Sequence, residues 1–324
     1  MVMGGTWRIP VLMDLLDKNF IRDLKMDGTF NESSFEREYE SVWSGTIEDA
    51  FFNAEQFDHN RILKQPEYEF SGRSTKNAYY VLSVDVGRRG CDTVICVFKV
   101  NPQTAGNALI SLVNIYPLSD MHFEEQCIRI KKLYYKYKAK KVVIDGNGLG
   151  IGLVDYLVKG QTDPDTGDLI ADFGVDNDEE GEYKKYRTAV CEENALWIIK
   201  ANAPINTEVH GNVQSMMQAG RVKMLIDERV AKIKLMATKR GQEMKPEERA
   251  EYLKPFTLTS ILKEEMMNLR EENEGVNIIL KQANKGIKKD KFSAFEYGLY
   301  WIKLEEDKKR KRNKKRFSDM LFMN

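Results

Sequence analysis

The sequence predicts a mixed α/β fold, and three observations carry that prediction. Three apolar, β-branched runs come in succession, joined by turns short enough for antiparallel hairpins. A helix-length amphipathic segment then leads into a short apolar run, KKVVID, and such a crossover makes the new strand parallel to an earlier one. Helical patterns dominate the remainder of the chain.

The elements follow in order. The strands are AYYVLSVDV (78–86), DTVICVFKV (92–100) and ALISLVNIY (108–116), with GRRGC and NPQTAGN as the turns between them. A helix is expected from about Asp120 to Lys138, because Phe123, Cys127, Ile130, Tyr134 and Tyr137 recur at steps of four and three, with Ser119 as its N-cap. KKVVID (140–145) is the fourth strand, and GNGLGIG leads into a helix over LVDYLV. The acidic, glycine-rich stretch 160–182 reads as an excursion or hairpin. Helices are expected at 186–200, 207–219, 228–237 and 257–272, a strand at VNIIL (276–280), and a last helix from about 290 to 305. Three antiparallel strands, a helix, a parallel strand and further helices follow the ribonuclease H-like order.

Before this domain, residues 1–74 read as a partly helical arm or connector, with helical spacing through Leu12, Leu15, Leu16, Phe20 and Leu24. GRSTKN (72–77) is a turn signal, so the domain is drawn over 75–306 and a basic tail over 307–324. The chain has 324 residues, long enough to bury a large core. Its 50 basic residues balance 50 acidic ones, but unevenly. KKRKRNKKR (308–316) holds eight of the positive charges, leaving 42 against 50 elsewhere, so a body of about −8 carries a strongly basic tail. Such a tail suits nucleic acid or another polyanion, or serves as a solvated end without a specific target. No apolar run approaches the ~18 residues of a membrane span, and no secretory signal opens the chain. Cys91, Cys96, Cys127 and Cys191 form no CxxC pair, which suits a reducing compartment.

Three aspartates stand where chemistry would gather. Asp85 ends the first strand, Asp145 ends the fourth, and Asp290 starts the last helix. Parallel neighbours would project the first two side by side, and the last helix lying across that edge would bring the third. Clustered carboxylates repel one another, and oxygen-only donors suit Mg²⁺ or Mn²⁺. Each aspartate taken alone also fits a turn or helix cap. GNGLGIG satisfies GxGxxG in no register, and no GxxxxGK[ST] occurs, so neither a dinucleotide fingerprint nor a P-loop is present. DNDEEG (176–181) lacks the closing glutamate of a calcium loop, with Arg187 at the twelfth position. His59, His122 and His210 lack ligand spacing, and no serine or cysteine nucleophile is suggested.

The segments FEREYESVWSGTIEDAFF, VLSVDVGRRGCDTVICVF and KKVVIDGNGLGIGLVDYL, with QSMMQAGRVKML at 214–225, resemble the C-terminal nuclease domain of the large terminase subunit of tailed bacteriophages. The likeness spans about residues 35–303. It implies a ribonuclease H-like fold and metal-dependent endonuclease cutting of double-stranded DNA concatemers during genome packaging, with Mg²⁺ or Mn²⁺ as cofactor, two ions acting together. By position it makes Asp85, Asp145 and Asp290 the catalytic metal-binding acids, and Asp92 a further metal ligand or supporting group, whereas on its own Asp92 reads equally as a carboxylate capping its turn. It also implies a host-cytoplasmic viral protein whose partners are the portal protein, the small terminase subunit and an ATPase domain of the same motor. Residues 1–74 would be the trailing edge of that ATPase region, of which no motif occurs here.

One departure stands out. The family carries further acids in its last motif, where this chain has Lys289-Asp290-Lys291-Phe292-Ser293-Ala294. Glu296 is no substitute on spacing, since six positions amount to about 600° of helical rotation. Lys288, Lys289 and Lys291, with Lys308, Arg310 and Arg312 of the tail, are expected to hold DNA phosphates. The alternatives are another ribonuclease H-like nuclease, such as a junction resolvase or transposase, and a non-catalytic docking module of the motor.

Overall fold

β-branched and apolar residues crowd the middle of the chain, and they build one eight-stranded sheet. The computed structural model describes residues 6–17, 19–22, 39–40, 50–72, 77–87, 92–103, 107–274 and 277–321, with backbone alone over 273–274 and 313–321. The turns expected at 72–77 and 87–91 and the aromatic-rich segment at 33–49 lie largely outside the described residues. The elements are α1 (Arg8–Leu12), α2 (Ala54–His59), β1 (Arg61–Leu63), β2 (Tyr79–Asp85), β3 (Thr93–Asn101), β4 (Leu109–Leu118), α3 (Phe123–Tyr137), β5 (Ala139–Asp145) and α4 (Leu149–Leu157). After them come β6 (Gln161–Thr162), β7 (Leu169–Ile170), β8 (Phe173–Val175), β9 (Glu192–Ile199), α5 (Ala203–Gln218), β10 (Val222–Leu225), α6 (Glu228–Met236), α7 (Lys239–Glu243), α8 (Pro246–Met267), β11 (Leu269–Glu274), β12 (Asn277–Gln282) and α9 (Asp290–Leu321).

The sheet runs β1-β10-β4-β3-β2-β5-β9-β8. β2, β3 and β4 form the antiparallel meander, and β5 and then β9 lie parallel beyond β2. This is the expected ribonuclease H-like arrangement, an antiparallel half followed by a parallel one with helices on both faces. Side chains alternate across a strand, and the alternation sorts the core. Tyr80, Leu82 and Val84 of β2 pack under α3 and α4, whereas Val81 lies on the other face with α5, α8 and α9.

Several elements differ from expectation. Residues 186–200 include β9, a strand paired to β5 and β8, rather than a helix. Its run ALWII is apolar on both faces, as buried parallel strands are, and such a run has no period to separate it from a buried helix. The N-cap of α3 is His122, bracketed by Glu125, which accepts from its backbone N–H, and not Ser119. The helix expected at 257–272 begins earlier, as α8, and gives way to β11, which pairs with β12 in a two-stranded hairpin apart from the main sheet. The last helix continues through Leu321, carrying the basic run on helical backbone.

Residues 50–63, which the sequence places with the arm, belong to the sheet and its core. β1 pairs parallel to β10, and Phe52 and Phe57 are buried in the α9-side core. Buried Arg61 donates to the carbonyls of Leu225 (2.9 Å) and Ile226 (3.0 Å). A three-residue strand is too short to announce itself in a sequence.

Candidate functional site

β2 and β5 are adjacent and parallel, with Val84 opposite Ile144, so the next residue of each strand, Asp85 and Asp145, ends its strand at the same sheet edge. Both share the strand face of Val81 and Val143, the face packed by α9. The first residue of α9 is Asp290, and Asp92 immediately precedes β3, whose Val94 pairs with Asp85. The four expected acids therefore stand at one corner of the sheet, all of them half-buried.

Electrostatics record the convergence. Burial, then the charges of Asp290 and Asp145, push the Asp85 carboxyl up to about 8, with Lys289 opposing. Burial also raises Asp290, where Lys288 and Lys291 oppose and Asp92 adds to the rise. Asp145 is raised by burial against the opposing hydrogen bond from Asn147, whose backbone N–H donates to Oδ1 at 3.0 Å. The turn after Asp145 is held by Gly146, donating to the Ile199 carbonyl at 2.7 Å. Gly150 packs so tightly that a methyl there would overlap the Asp145 carbonyl oxygen, which is why the chain needs glycine at that point. Across the site, Thr93 Oγ1 donates to Gln126 Oε1 at 2.7 Å and accepts from the Gly87 N–H at 2.9 Å, anchoring the segment that follows Asp85.

Whether this corner suits a divalent cation is decided by donor chemistry and by one orphaned atom. Four carboxylates supply oxygen donors, the set that Mg²⁺ and Mn²⁺ prefer. Asp290 Oδ2 is buried with no hydrogen-bond partner among the described residues, a state that a cation or a proton would relieve. As the side chains stand, no three histidine, cysteine or acidic groups among the described residues are gathered tightly enough to grip an ion. The donor chemistry and the orphaned Asp290 oxygen fit a divalent cation.

Two buried acids behind this corner escaped the sequence. Glu265 of α8, 1% exposed, accepts from the Phe292 backbone N–H (2.9 Å) and from Lys291 Nζ (3.1 Å). Glu296 of α9 faces His210 of α5, with Oε2 and Nδ1 2.7 Å apart, and the charge of Asp145 reaches it. Helical spacing alone does not reveal this buried pairing of Glu296 with His210.

The expected DNA-facing lysines separate. Lys291 is buried against Glu265 and cannot meet a phosphate, because its ammonium is consumed inside the core. Lys288 and Lys289 are exposed at the rim, and Lys289 acts on Asp85, Asp290 and Glu296. Lys308, Arg310 and Arg312 lie exposed on α9, the first two in loose pairs with Glu305 and Asp307.

No family model matches the chain, and no curated protein matches it. The solved structures it is similar to include phage proteins. The large terminase nuclease from thermophilic phage G20c with bound magnesium shares 14% identity at a TM-score of 0.42, over 78% of this chain and 98% of that one. The Thermus phage P74-26 large terminase nuclease domain shares 12% at 0.41, over 76% and 92%. The HK97 bacteriophage large terminase shares 10% at 0.41, over 84% of this chain and 51% of that one.

Proposed function

We propose that the chain is a divalent-metal-dependent endonuclease that cuts double-stranded DNA with little sequence preference. The observation that carries this reading is the meeting of Asp85, Asp145 and Asp290 at one sheet corner, where burial raises all three and the charges of the other two add to the rise at Asp85. With Asp92 at the rim, these residues would hold Mg²⁺ or Mn²⁺. Bound there, one or two such ions would activate water and stabilise the leaving oxygen of a phosphodiester.

The chain's own groups do the rest. Lys288 and Lys289 at the rim attract the phosphate toward the acids, against the repulsion of an otherwise anionic corner. Lys308, Arg310 and Arg312 ride the same helix as Asp290, and Lys308 lies about 27 Å further along it at 1.5 Å per residue. That reach matches about eight base-pair steps of duplex at ~3.4 Å each, so the basic run would grip backbone roughly one turn from the cut. Backbone contacts position without reading sequence. The sequence resemblance to terminase nuclease domains gives the setting of genome packaging, with the portal protein, the small subunit and an ATPase domain as partners.

The test is plasmid nicking with Mn²⁺ or Mg²⁺ by the full chain. Asp85→Asn and Asp145→Asn should each abolish cutting while the circular dichroism spectrum is unchanged. Cutting by both variants would refute the metal site. Preference for four-way junctions over linear duplex would make the protein a resolvase, and failure of the wild type with every divalent metal would favour a docking module.

A further inference from the structure

The first turn of α9 has N–H groups with no partner inside the helix. One of them, that of Phe292, is taken by a side chain from a different helix. Glu265, in the last turns of α8, accepts it at Oε2 (2.9 Å), while Oε1 accepts from Lys291 Nζ (3.1 Å). The Lys291 carbonyl in turn accepts from Cys96 Sγ of β3 (3.7 Å). Glu265 is buried at 1% exposure, so both of its oxygens are spent on residues 291 and 292. Asp290 is the residue immediately before them, and its Oδ2 is the orphaned oxygen of the acidic corner.

We propose that Glu265 is a positioning residue for Asp290. It clamps the start of α9 so that the Asp290 carboxylate stands at the sheet corner with Asp85 and Asp145. Lys291 neutralises it there, which allows a carboxylate to sit directly behind an already anionic site. This rests on the metal-site reading above, and it gives the departure from the family's last motif a purpose. A lysine follows Asp290 because it serves the clamp, not the DNA.

The readout is Mn²⁺ affinity of the full chain, measured by the electron paramagnetic resonance signal of free ion, with thermal melts to confirm folding. Glu265→Ala should weaken Mn²⁺ binding by ~10-fold or more, the range seen when partners of metal ligands are removed. Because Glu265 acts through Asp290, the double variant Glu265→Ala/Asp290→Asn should bind no more weakly than Asp290→Asn alone. The pair Glu265→Gln/Lys291→Met keeps the acceptor for the Phe292 N–H while removing both charges, and should restore affinity toward that of the wild type. This second variant also serves if Glu265→Ala fails to fold.

Additive losses in the double variant would overturn the clamp, as would unchanged affinity in Glu265→Ala. So would a Glu265→Gln/Lys291→Met protein as weak as Asp290→Asn. Absence of Mn²⁺ binding by the wild type would instead overturn the metal site itself, a result distinguishable from wild-type binding that ignores Glu265.

Discussion

Asp290, the first residue of the last helix, is the charged group that acts most strongly on Asp85 at the end of β2. The two carboxyls sit far apart in sequence and are brought together because α9 packs across β2 and β3 on the face Asp85 shares with Val81. Their repulsion, added to burial, lifts Asp85 up to about 8 from its ordinary 3.8.

That shift predicts how metal-free stability depends on pH. A carboxyl whose folded pKa is raised binds more protons folded than unfolded between about 4 and 8, so it destabilises the fold increasingly as pH rises through that window. Asparagine cannot ionise. Without metal, Asp85→Asn should therefore melt above the wild type at pH 8, and the gap should shrink as pH falls toward 4. Adding Mn²⁺ should raise the wild-type melting temperature and leave the variant nearly unmoved. A gap independent of pH would show that Asp85 is not ionising in a repulsive site.

The lysines at 288–291 should divide by role. Lys291→Ala leaves Glu265 buried and uncompensated, a loss that typically costs about 3–5 kcal/mol. Lys289→Ala, at the exposed rim, should change stability little and weaken DNA retention. Urea denaturation alongside filter binding of duplex DNA separates them. Equal stability of the two variants would contradict the buried pair.

The basic run on α9 should govern salt dependence. Deleting residues 308–324 removes eight positive charges. Affinity for duplex DNA should then fall, and the slope of log affinity against log salt should flatten, since each phosphate contact contributes about 0.9 to that slope. An unchanged slope would assign the run to a protein partner.

Much of this site was legible because its geometry is written in strand ends. An apolar run closing on an aspartate, twice, with a helix crossover between, places Asp85 and Asp145 side by side once the sheet forms. Asp290 followed from its position at a helix start. Glu265 and Glu296 were not legible, because a buried acid on a helix has the same spacing as a solvated one, and only the packing of α8 and α5 against α9 encloses them. For the same reason Lys291 read as surface charge among basic neighbours. β1 and β9 were missed on local grounds, one too short for a pattern and the other buried on both faces with no alternation.

The seating of α9 on the sheet turns on Gly298, and it can be tested with a single methyl. A Cβ there would lie 2.8 Å from Ser83 Cβ and would overlap the Phe98 ring, so helix and sheet meet without a side chain between them. Alanine normally favours a helix over glycine by about 1 kcal/mol. Here overpacking, typically costing about 1–3 kcal/mol, should outweigh it. Gly211, in α5, offers the control, because nothing lies within 4 Å of the added methyl. Gly211→Ala should be neutral or stabilising in urea, whereas Gly298→Ala should be destabilised. Asp290 rides the same helix about two turns away, so lifting α9 from β2 should also weaken Mn²⁺ binding, an effect that Gly211→Ala should not share. Stability and Mn²⁺ affinity both untouched in Gly298→Ala would mean that the contact between α9 and β2 does not set the distance between Asp290 and Asp85.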